Sequence, residues 1–364
     1  MVDVFSRIGE EGYEQVVFCH DGATGLRAVI AIHSTRLGPA LGGTRFRPYA
    51  TEDEAVEDVL RLAKGMTYKS AVAGLDLGGG KAVILGDPAR DKSEPLLRAY
   101  GRFVGSLGGR YITAEDVGTT QADMDLISRE TRYVTGVSMS LGGSGDPSAA
   151  TARGVLHAMK AVARHLWGEA TLEGRSVVVS GVGKVGYNVA RHLVEERAVV
   201  TVSDVDPAAV DRAASELAVE VVAPEKAHAT HCDVFSPCAL GAVLSPLTIP
   251  ELRCAAVVGC ANNQLADGSC AALLEDAGVL YAPDYVVNAG GIVNVAEELR
   301  GYDRDRAEGE IRRIGETTAR VLATAAAQGI TTVEAADRLA ERRLEEVGRV
   351  QLIRPGGVAP VRGR

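Results

Sequence analysis

Apolar positions in the first fifty residues fall in short continuous runs. Gln15–Cys19 and Leu26–His33 are β-branched and aliphatic, and Asp21-Gly22-Ala23-Thr24-Gly25 between them is a turn-forming cluster, so a β-hairpin is predicted. At Thr51 the period changes. Thr51 followed by Glu54 has the form of a capping box, and Ala55, Val59, Leu62, Ala63 and Met66 recur at helical spacing, with Gly65 expected to weaken the helix end. Two apolar runs, Ala71–Leu75 and Ala82–Leu85, then flank Gly78-Gly79-Gly80-Lys81, and a helix over Glu94–Leu107 precedes a strand at Arg110–Thr113. Strands alternating with helices predict an α/β domain.

Between about Gly136 and Ser148 the chain is Gly/Ser-rich with neither period, which marks the crossing into a second domain. After a helix over Ala149–Leu166, the run Ser176–Ser180 opens a second alternating series. A glycine turn and a helix to about Arg197 are followed by a strand at Val199–Ser203 and a helix at Pro207–Leu217. Further strands are expected near Val219–Val222, Asp233–Ser236, Ala256–Gly259 and Val279–Ala282. This half reads as a Rossmann-type, doubly wound parallel sheet. The charged segment Asp303–Val347 is helical by pattern. The expected division is a first domain at 1–140 joined by a helical return at 331–348, a second, doubly wound domain at 149–330, and a disordered tail at 349–364.

Composition narrows the function. Of 364 residues 46% are hydrophobic, yet no apolar stretch approaches the roughly 20 residues that cross a bilayer, and Asp3, Arg7, Glu10, Glu11 and Glu14 argue against a signal peptide. A cytoplasmic protein without a membrane span is expected. The net charge of -9, with no Lys/Arg-rich stripe, argues against a nucleic-acid surface, because phosphate neutralisation needs clustered positive charge. The six cysteines have no C-x-x-C pair and read as reduced, small apolar residues. His228-x-x-His231-Cys232 lacks a complementary ligand set for a metal and reads as a solvated loop.

Gly181-Val182-Gly183-Lys184-Val185-Gly186 matches G-x-G-x-x-G, directly after a Val-rich strand and before a helical run. Glycine there permits a tight turn, close approach of backbone to a pyrophosphate, and close packing of helix on strand. The next strand ends in Asp204, 23 residues after the first glycine, where a carboxylate can hold ribose hydroxyls. Asp204 with Asp206 would repel a 2′-phosphate, which favours NAD over NADP.

Lys69 and Lys81 each stand where a helix or strand pattern ends. Three consecutive glycines before Lys81 suggest backbone that approaches a ligand or adopts positive φ. A desolvated lysine can serve as a general base; two surface lysines beside a flexible loop is the plain alternative. A P-loop fits poorly, since Leu75 occupies the first glycine position and Ala82 replaces the Mg²⁺-binding hydroxyl. Asp116, just past the strand Arg110–Thr113, is placed where open α/β sheets bind ligands. Asp123 and Asp125 read as capping or structural acids, and His33 as structural.

Taken in order, six segments resemble the glutamate/leucine/phenylalanine/valine dehydrogenase superfamily from about Gln15 to Arg343, most closely its valine and leucine dehydrogenases. They are Leu37-Gly38-Pro39-Ala40-Leu41-Gly42-Gly43-Thr44-Arg45, Gly78–Lys81, Ala122-Asp123-Met124-Asp125, Cys238-Ala239-Leu240-Gly241, Ala261-Asn262-Asn263-Gln264-Leu265 and Tyr281–Gly291. The resemblance implies an N-terminal α/β substrate and oligomerisation domain beside the NAD-binding domain, and a homo-oligomer. The implied reaction is reversible NAD-dependent oxidative deamination of an L-amino acid to a 2-oxo acid and ammonia. Lys69 would then bind the substrate carboxylate, Lys81 would activate water, and Asp116 would handle the amine proton. Gly42 and Gly43 would lie near the reacting centre, and Asn263 and Asn288 would orient substrate and nicotinamide. Thr151 would contact the nicotinamide amide, with Cys238, Ala239 and Leu240 also on the cofactor side.

By the same resemblance Leu41, Ala114, Ile292 and Val295 would line the side-chain pocket. All are aliphatic, which favours branched-chain substrates, valine, leucine and isoleucine, with phenylalanine as the alternative. Cys260 and Arg153 depart from the family pattern, and Arg153 puts the packing beside the nicotinamide in doubt. Two other readings stay open: an NAD-binding regulatory protein without catalysis, and a hydroxy-acid dehydrogenase, which would call for a histidine base.

Overall fold

The structure, a computed structural model, describes residues 4–239 and 241–350. Contacts divide these into two compact units. The first holds the described residues up to Asp146 with Val295–Arg304 and the chain from Ala340; the second holds Pro147–Asn294 and Asp305–Leu339. The sequence expectation had assigned 295–304 to the dinucleotide domain and the whole helical return to the first.

The first unit begins with α1 (Val4–Glu11) and the hairpin of β1 (Gln15–Asp21) and β2 (Leu26–Ser34), antiparallel as the pattern predicts. β3 (Ala40–Arg47), α2 (Glu52–Val72), β4 (Gly78–Leu85), α3 (Glu94–Ser106), β5 (Tyr111–Glu115) and α4 (Gln121–Ile127) follow. The sheet is mixed, ordered β1-β2-β4-β3-β5, with β4 central and β3 lying between β4 and β5 and parallel to both. Thr51 caps α2 by accepting from the Glu54 N–H at 3.1 Å, while the Glu54 carboxylate takes the Ala50 N–H rather than that of Thr51. Gly65 does not weaken the helix end. It is exposed, and the buried stripe of Ala55, Val59, Ala63, Thr67 and Ala71 carries the helix past it to Val72 by packing.

The three glycines before Lys81 lie inside β4, not in a loop, and none has positive φ. Their role is close packing of protein on protein. A Cβ on Gly79 would meet the Thr67 nitrogen at 2.1 Å, and one on Gly78 would meet the Ser34 carbonyl oxygen at 1.9 Å. Asp123 closes a full capping box with Thr120, and Asp125 accepts from the Ser138 N–H at 2.8 Å. His33 is buried, with Nδ1 2.8 Å from the Thr67 hydroxyl. The aperiodic 136–148 segment is held in place by buried Glu298, whose carboxylate accepts from the N–H groups of Gly136 and Ser144 and from the Ser144 hydroxyl.

The second unit starts with α5 (Ser148–Trp167) and continues β6 (Ser176–Ser180), α6 (Lys184–Glu195), β7 (Val199–Ser203), α7 (Pro207–Leu217), β8 (Glu220–Val221), β9 (Val234–Pro237), β10 (Ala256–Val257), α8 (Cys270–Asp276), β11 (Leu280–Tyr281), α9 (Asp284–Val287) and α10 (Gly290–Ala296). All strand pairs in its six-stranded sheet are parallel, in the order β11-β10-β9-β6-β7-β8. That is the doubly wound arrangement, with the strand order reversing between β6 and β9, where such sheets bind ligands. Cys232 is buried in this core, so the expected solvated loop is solvated only in part; His228 pairs with Glu251 at 2.6 Å.

The charged C-terminal segment forms two helices, α11 (Arg304–Gln328) and α12 (Thr332–Val350). Within the second unit Asp337 of α12 accepts from the Tyr285 hydroxyl at 2.6 Å; within the first, Arg343 pairs with Asp76 at 2.8 Å. Arg349 and Val350, expected in the tail, continue α12, and the rest of the expected tail lies outside the described residues.

Candidate functional site

In the first unit the catalytic candidates meet around β3. β3 pairs with β4 in a single register, Ala40–Leu41 opposite Gly78–Gly79 and Thr44–Arg47 opposite Ala82–Leu85, and Gly42 and Gly43 lie between the two paired stretches. A Cβ on Gly42 would meet the Gly80 oxygen at 1.7 Å, and one on Gly43 would meet the Asp116 Cβ at 2.8 Å. Glycine at both positions therefore lets β4 and the end of β5 close on β3, bringing Lys81 to Asp116. Lys81 is buried, and its Nζ lies 3.1 Å from Asp116 Oδ2. The Tyr111 hydroxyl donates to the Gly42 carbonyl at 2.6 Å, and burial pushes Tyr111 up to about 12.

Arg45, present in the motif but given no role from sequence, also reaches Asp116 Oδ2, at 3.0 Å through Nε, and continues through Nη1 to Asp58 at 2.9 Å. Burial opposes ionisation of Asp116, yet the Lys81 ammonium and the Arg45 guanidinium hold its carboxyl below the ordinary value. Asp58 on α2 was not foreseen. Its place in the site depends on a fold contact 13 residues away in sequence.

Lys69 is in the last turn of α2, two residues beyond the Thr67 that presses on Gly79, so α2 crosses β4 close to Lys81 in the strand. Leu41 and Ala114 are buried on β3 and β5, each next to a glycine of the Gly42-Gly43 pair. Ile292 and Val295 are buried on α10.

In the second unit the loop from β6 to α6 has the form its glycines predict. Gly181 has φ +102° and fits against Ala239, whose nitrogen a Cβ there would meet at 2.6 Å. Gly186 lies against Gly181 and Cys238, a Cβ on it meeting the Gly181 oxygen at 1.9 Å. Gly183, the N-cap of α6, has no heavy atom within 4 Å of its Cβ position. Lys184 and Val185 form the first turn. An open space at a helix N-terminus, with two packed glycines fixing the loop beneath it, fits a dinucleotide pyrophosphate. Asp204, the residue directly after β7, accepts from the Val182 N–H at 2.7 Å, which holds the carboxylate over the loop. Leu240 lies outside the described residues.

Thr151 is in the first turn of α5, against which Gly291 packs; a Cβ on Gly291 would meet the Thr151 hydroxyl oxygen at 2.8 Å. Arg153, two residues on, pairs with Glu308 at 2.7 Å. Buried Asn288 donates to the Cys260 carbonyl at 3.1 Å and to Asn262 Oδ1 at 2.9 Å, which ties it to the exposed Asn263 segment. Asn263 itself has φ +52°, a left-handed conformation that asparagine tolerates better than most residues. Buried Gln264, without a sequence-based role, fastens the same turn by donating to the carbonyls of Gly259 and Ala261.

The family profile described as "Glu/Leu/Phe/Val dehydrogenase, dimerisation domain" matches residues 13–133. The profile described as "Glutamate/Leucine/Phenylalanine/Valine dehydrogenase" matches 142–219 and 208–351. The chain belongs to this family. This dehydrogenase is 52% identical to the leucine dehydrogenase of Geobacillus stearothermophilus over 344 residues, 94% of each chain. It is 55% identical to the valine dehydrogenase of Streptomyces virginiae over 338 residues, 92% of this chain and 94% of that one. Among solved structures, L-tryptophan dehydrogenase from Nostoc punctiforme matches with a TM-score of 0.84 and 44% identity, over 95% of this chain and all of that one. As a family member the dehydrogenase is an oxidoreductase acting on amino acids, and no helix among its described residues is long and apolar enough to cross a membrane.

Proposed function

We propose that the chain catalyses the reversible NAD-dependent oxidative deamination of branched-chain L-amino acids, valine, leucine and isoleucine, to 2-oxo acids and ammonia. The observation that carries this reading is the pair of buried Lys81 and half-buried Asp116 beside Gly42 and Gly43, which sets a proton-carrying amine next to a carboxylate. Relatives named for leucine and valine support the substrate class, as do the aliphatic residues Leu41, Ala114, Ile292 and Val295.

NAD, held at the Gly181–Gly186 loop with Asp204 on the ribose hydroxyls, would supply the acceptor for the substrate Cα hydride. The chain's own side chains do the rest. Lys69 binds the substrate carboxylate, an anion that an acidic protein must attract with a placed cation. Asp116 receives the proton from the substrate amine. Lys81, 3.1 Å from that carboxylate, first releases its ammonium proton to solvent and then, as the free amine, takes a proton from the water whose oxygen enters the product. Asn263 and Asn288 would orient substrate and nicotinamide, Thr151 would meet the carboxamide, and Cys238 and Ala239 would lie on the cofactor side. Nothing in this scheme calls for a metal.

The profile over 13–133, described as a dimerisation domain, supports self-association through the first unit. A cytoplasmic location goes with six free thiols and an NAD-linked reaction. The test is NADH formation with valine, leucine, isoleucine, phenylalanine, tryptophan and glutamate, for wild type and Lys81→Ala. Turnover of the branched-chain set that vanishes in the variant is expected. No turnover with any amino acid, despite NAD binding, would sink the reading and favour a regulatory NAD-binding role.

A further inference from the structure

We infer that Arg45 is a positioning residue for the reaction: its guanidinium, braced by Asp58, holds Asp116 by one carboxylate oxygen so that the other is presented to the substrate amine. The inference rests on the role given to Asp116 above. Both cations at Asp116, Lys81 Nζ at 3.1 Å and Arg45 Nε at 3.0 Å, converge on Oδ2. Oδ1 is thus the oxygen left for an incoming amine.

The brace continues behind Arg45. Asp58 Oδ2 accepts from Arg45 Nη1 at 2.9 Å and from the Tyr49 hydroxyl at 2.9 Å, and Oδ1 accepts from Arg61 at 2.9 Å. The Arg45 and Asp58 side chains are only 16% and 12% exposed, so these contacts are little weakened by solvent. β3 also holds the Asp116 backbone. The Asp116 N–H donates to the Thr119 hydroxyl at 2.9 Å, and that hydroxyl lies 2.9 Å from the carbonyl oxygen of Thr44, the residue before Arg45.

A planar guanidinium suits this task because two of its N–H groups point along fixed, diverging directions to two carboxylates, which one lysine ammonium on a flexible stem cannot reproduce.

The experiment measures kcat and KM for the amino acid across pH in Arg45→Met, Arg45→Lys and Asp116→Asn, with thermal midpoints. The groups facing Asp116 are Lys81 on β4, Arg45 on β3 and Tyr111 on β5, with Asp58 and Arg61 of α2 behind Arg45. Arg45→Met should lower kcat about 10- to 100-fold with little change in KM. It should also move the acid limb of kcat/KM to higher pH, because a cation that favours the ionised carboxyl is gone. Arg45→Lys should restore the limb and recover kcat only in part.

Wild-type kcat and an unmoved limb in Arg45→Met would overturn the inference, as would equal losses in both Arg45 variants with the limb unmoved, the mark of a merely structural contact. Where Arg45→Met does not fold, Arg45→Lys decides alone: lowered kcat at unchanged KM supports the fork, and wild-type kcat overturns it. Asp116→Asn separates the two readings. Full turnover in that variant removes the role of Asp116 itself, whereas an inactive Asp116→Asn beside an unaffected Arg45→Met removes only the role of Arg45.

Discussion

At Gly79 a single added methyl would meet the Thr67 backbone nitrogen at 2.1 Å, and at Gly42 it would meet a carbonyl oxygen at 1.7 Å. Neither obstacle is a side-chain tip that can swing away. Gly79→Ala should therefore destabilise the protein by roughly 1–3 kcal/mol or more, read as a lower denaturant midpoint, and should lower activity by displacing β4 from α2 beside Lys81. Lys81→Ala tests the chemistry itself. It should cut kcat by about 10²–10⁴-fold, the range typical of a lost general base, while circular dichroism and NAD binding stay as in wild type. The lysine was legible in the sequence because it ends an unusual glycine run, but the reason for that run was not. Three glycines before a lysine look the same whether a ligand or a helix approaches them, and only the packing of Thr67 and Tyr111 distinguishes the two.

Elements in this fold end and turn for reasons that lie close by in the chain. The β6–α6 loop is the clearest case. Gly183 opens onto empty space and Gly186 presses on the Gly181 oxygen at 1.9 Å, so alanine at the two positions should have separate effects. Gly183→Ala should leave the thermal midpoint unchanged and raise KM for NAD, since its methyl stands where the pyrophosphate would come. Gly186→Ala should lower the midpoint first. If Gly183→Ala binds NAD as wild type does, the cofactor does not sit over this glycine. The fingerprint, the Asp204 spacing, the hairpin and the Thr51 cap were all legible because each is a contact between near neighbours. Gly65 misled because helix propensity is worth about 1 kcal/mol at one position, less than the burial of the face that α2 packs on the sheet.

On the scale of the whole molecule, pH acts through groups whose burial the fold decides. Burial lowers His33 from 6.5, keeping the ring neutral between Thr67 and Glu11. Because the unfolded chain takes up that proton more readily, stability should erode as pH falls below 6.5. Asp58 and Asp116 are both half-buried, which opposes ionisation, but Arg45 and, for Asp116, Lys81 bring both below 3.8. Their contribution is complete above 3.8 and is lost as pH falls through the lower folded-state values, so a second, steeper loss is expected there. Urea midpoints measured from pH 7 to pH 3 should show both phases. Asp58→Asn should flatten the second, and an unchanged acid profile in that variant would show that the Arg45–Asp58 pair contributes nothing to it.

The sequence by itself determined the α/β class, the hairpin, the parallel nucleotide-binding sheet, the glycine loop with its carboxylate, and the identity of Lys69, Lys81 and Asp116 as candidates. Each of these is written in periodicity or in spacings of a few tens of residues, where local geometry restricts the chain. Tertiary structure decided that the β4 glycines serve packing, that Arg45 meets Asp116 71 positions away, and that Glu298 secures Gly136 across 162. Such pairs leave no local trace. A carboxylate and its cation need only end up about 3 Å apart once the strands are in register, and register is set by how whole faces pack together rather than by any neighbouring residue.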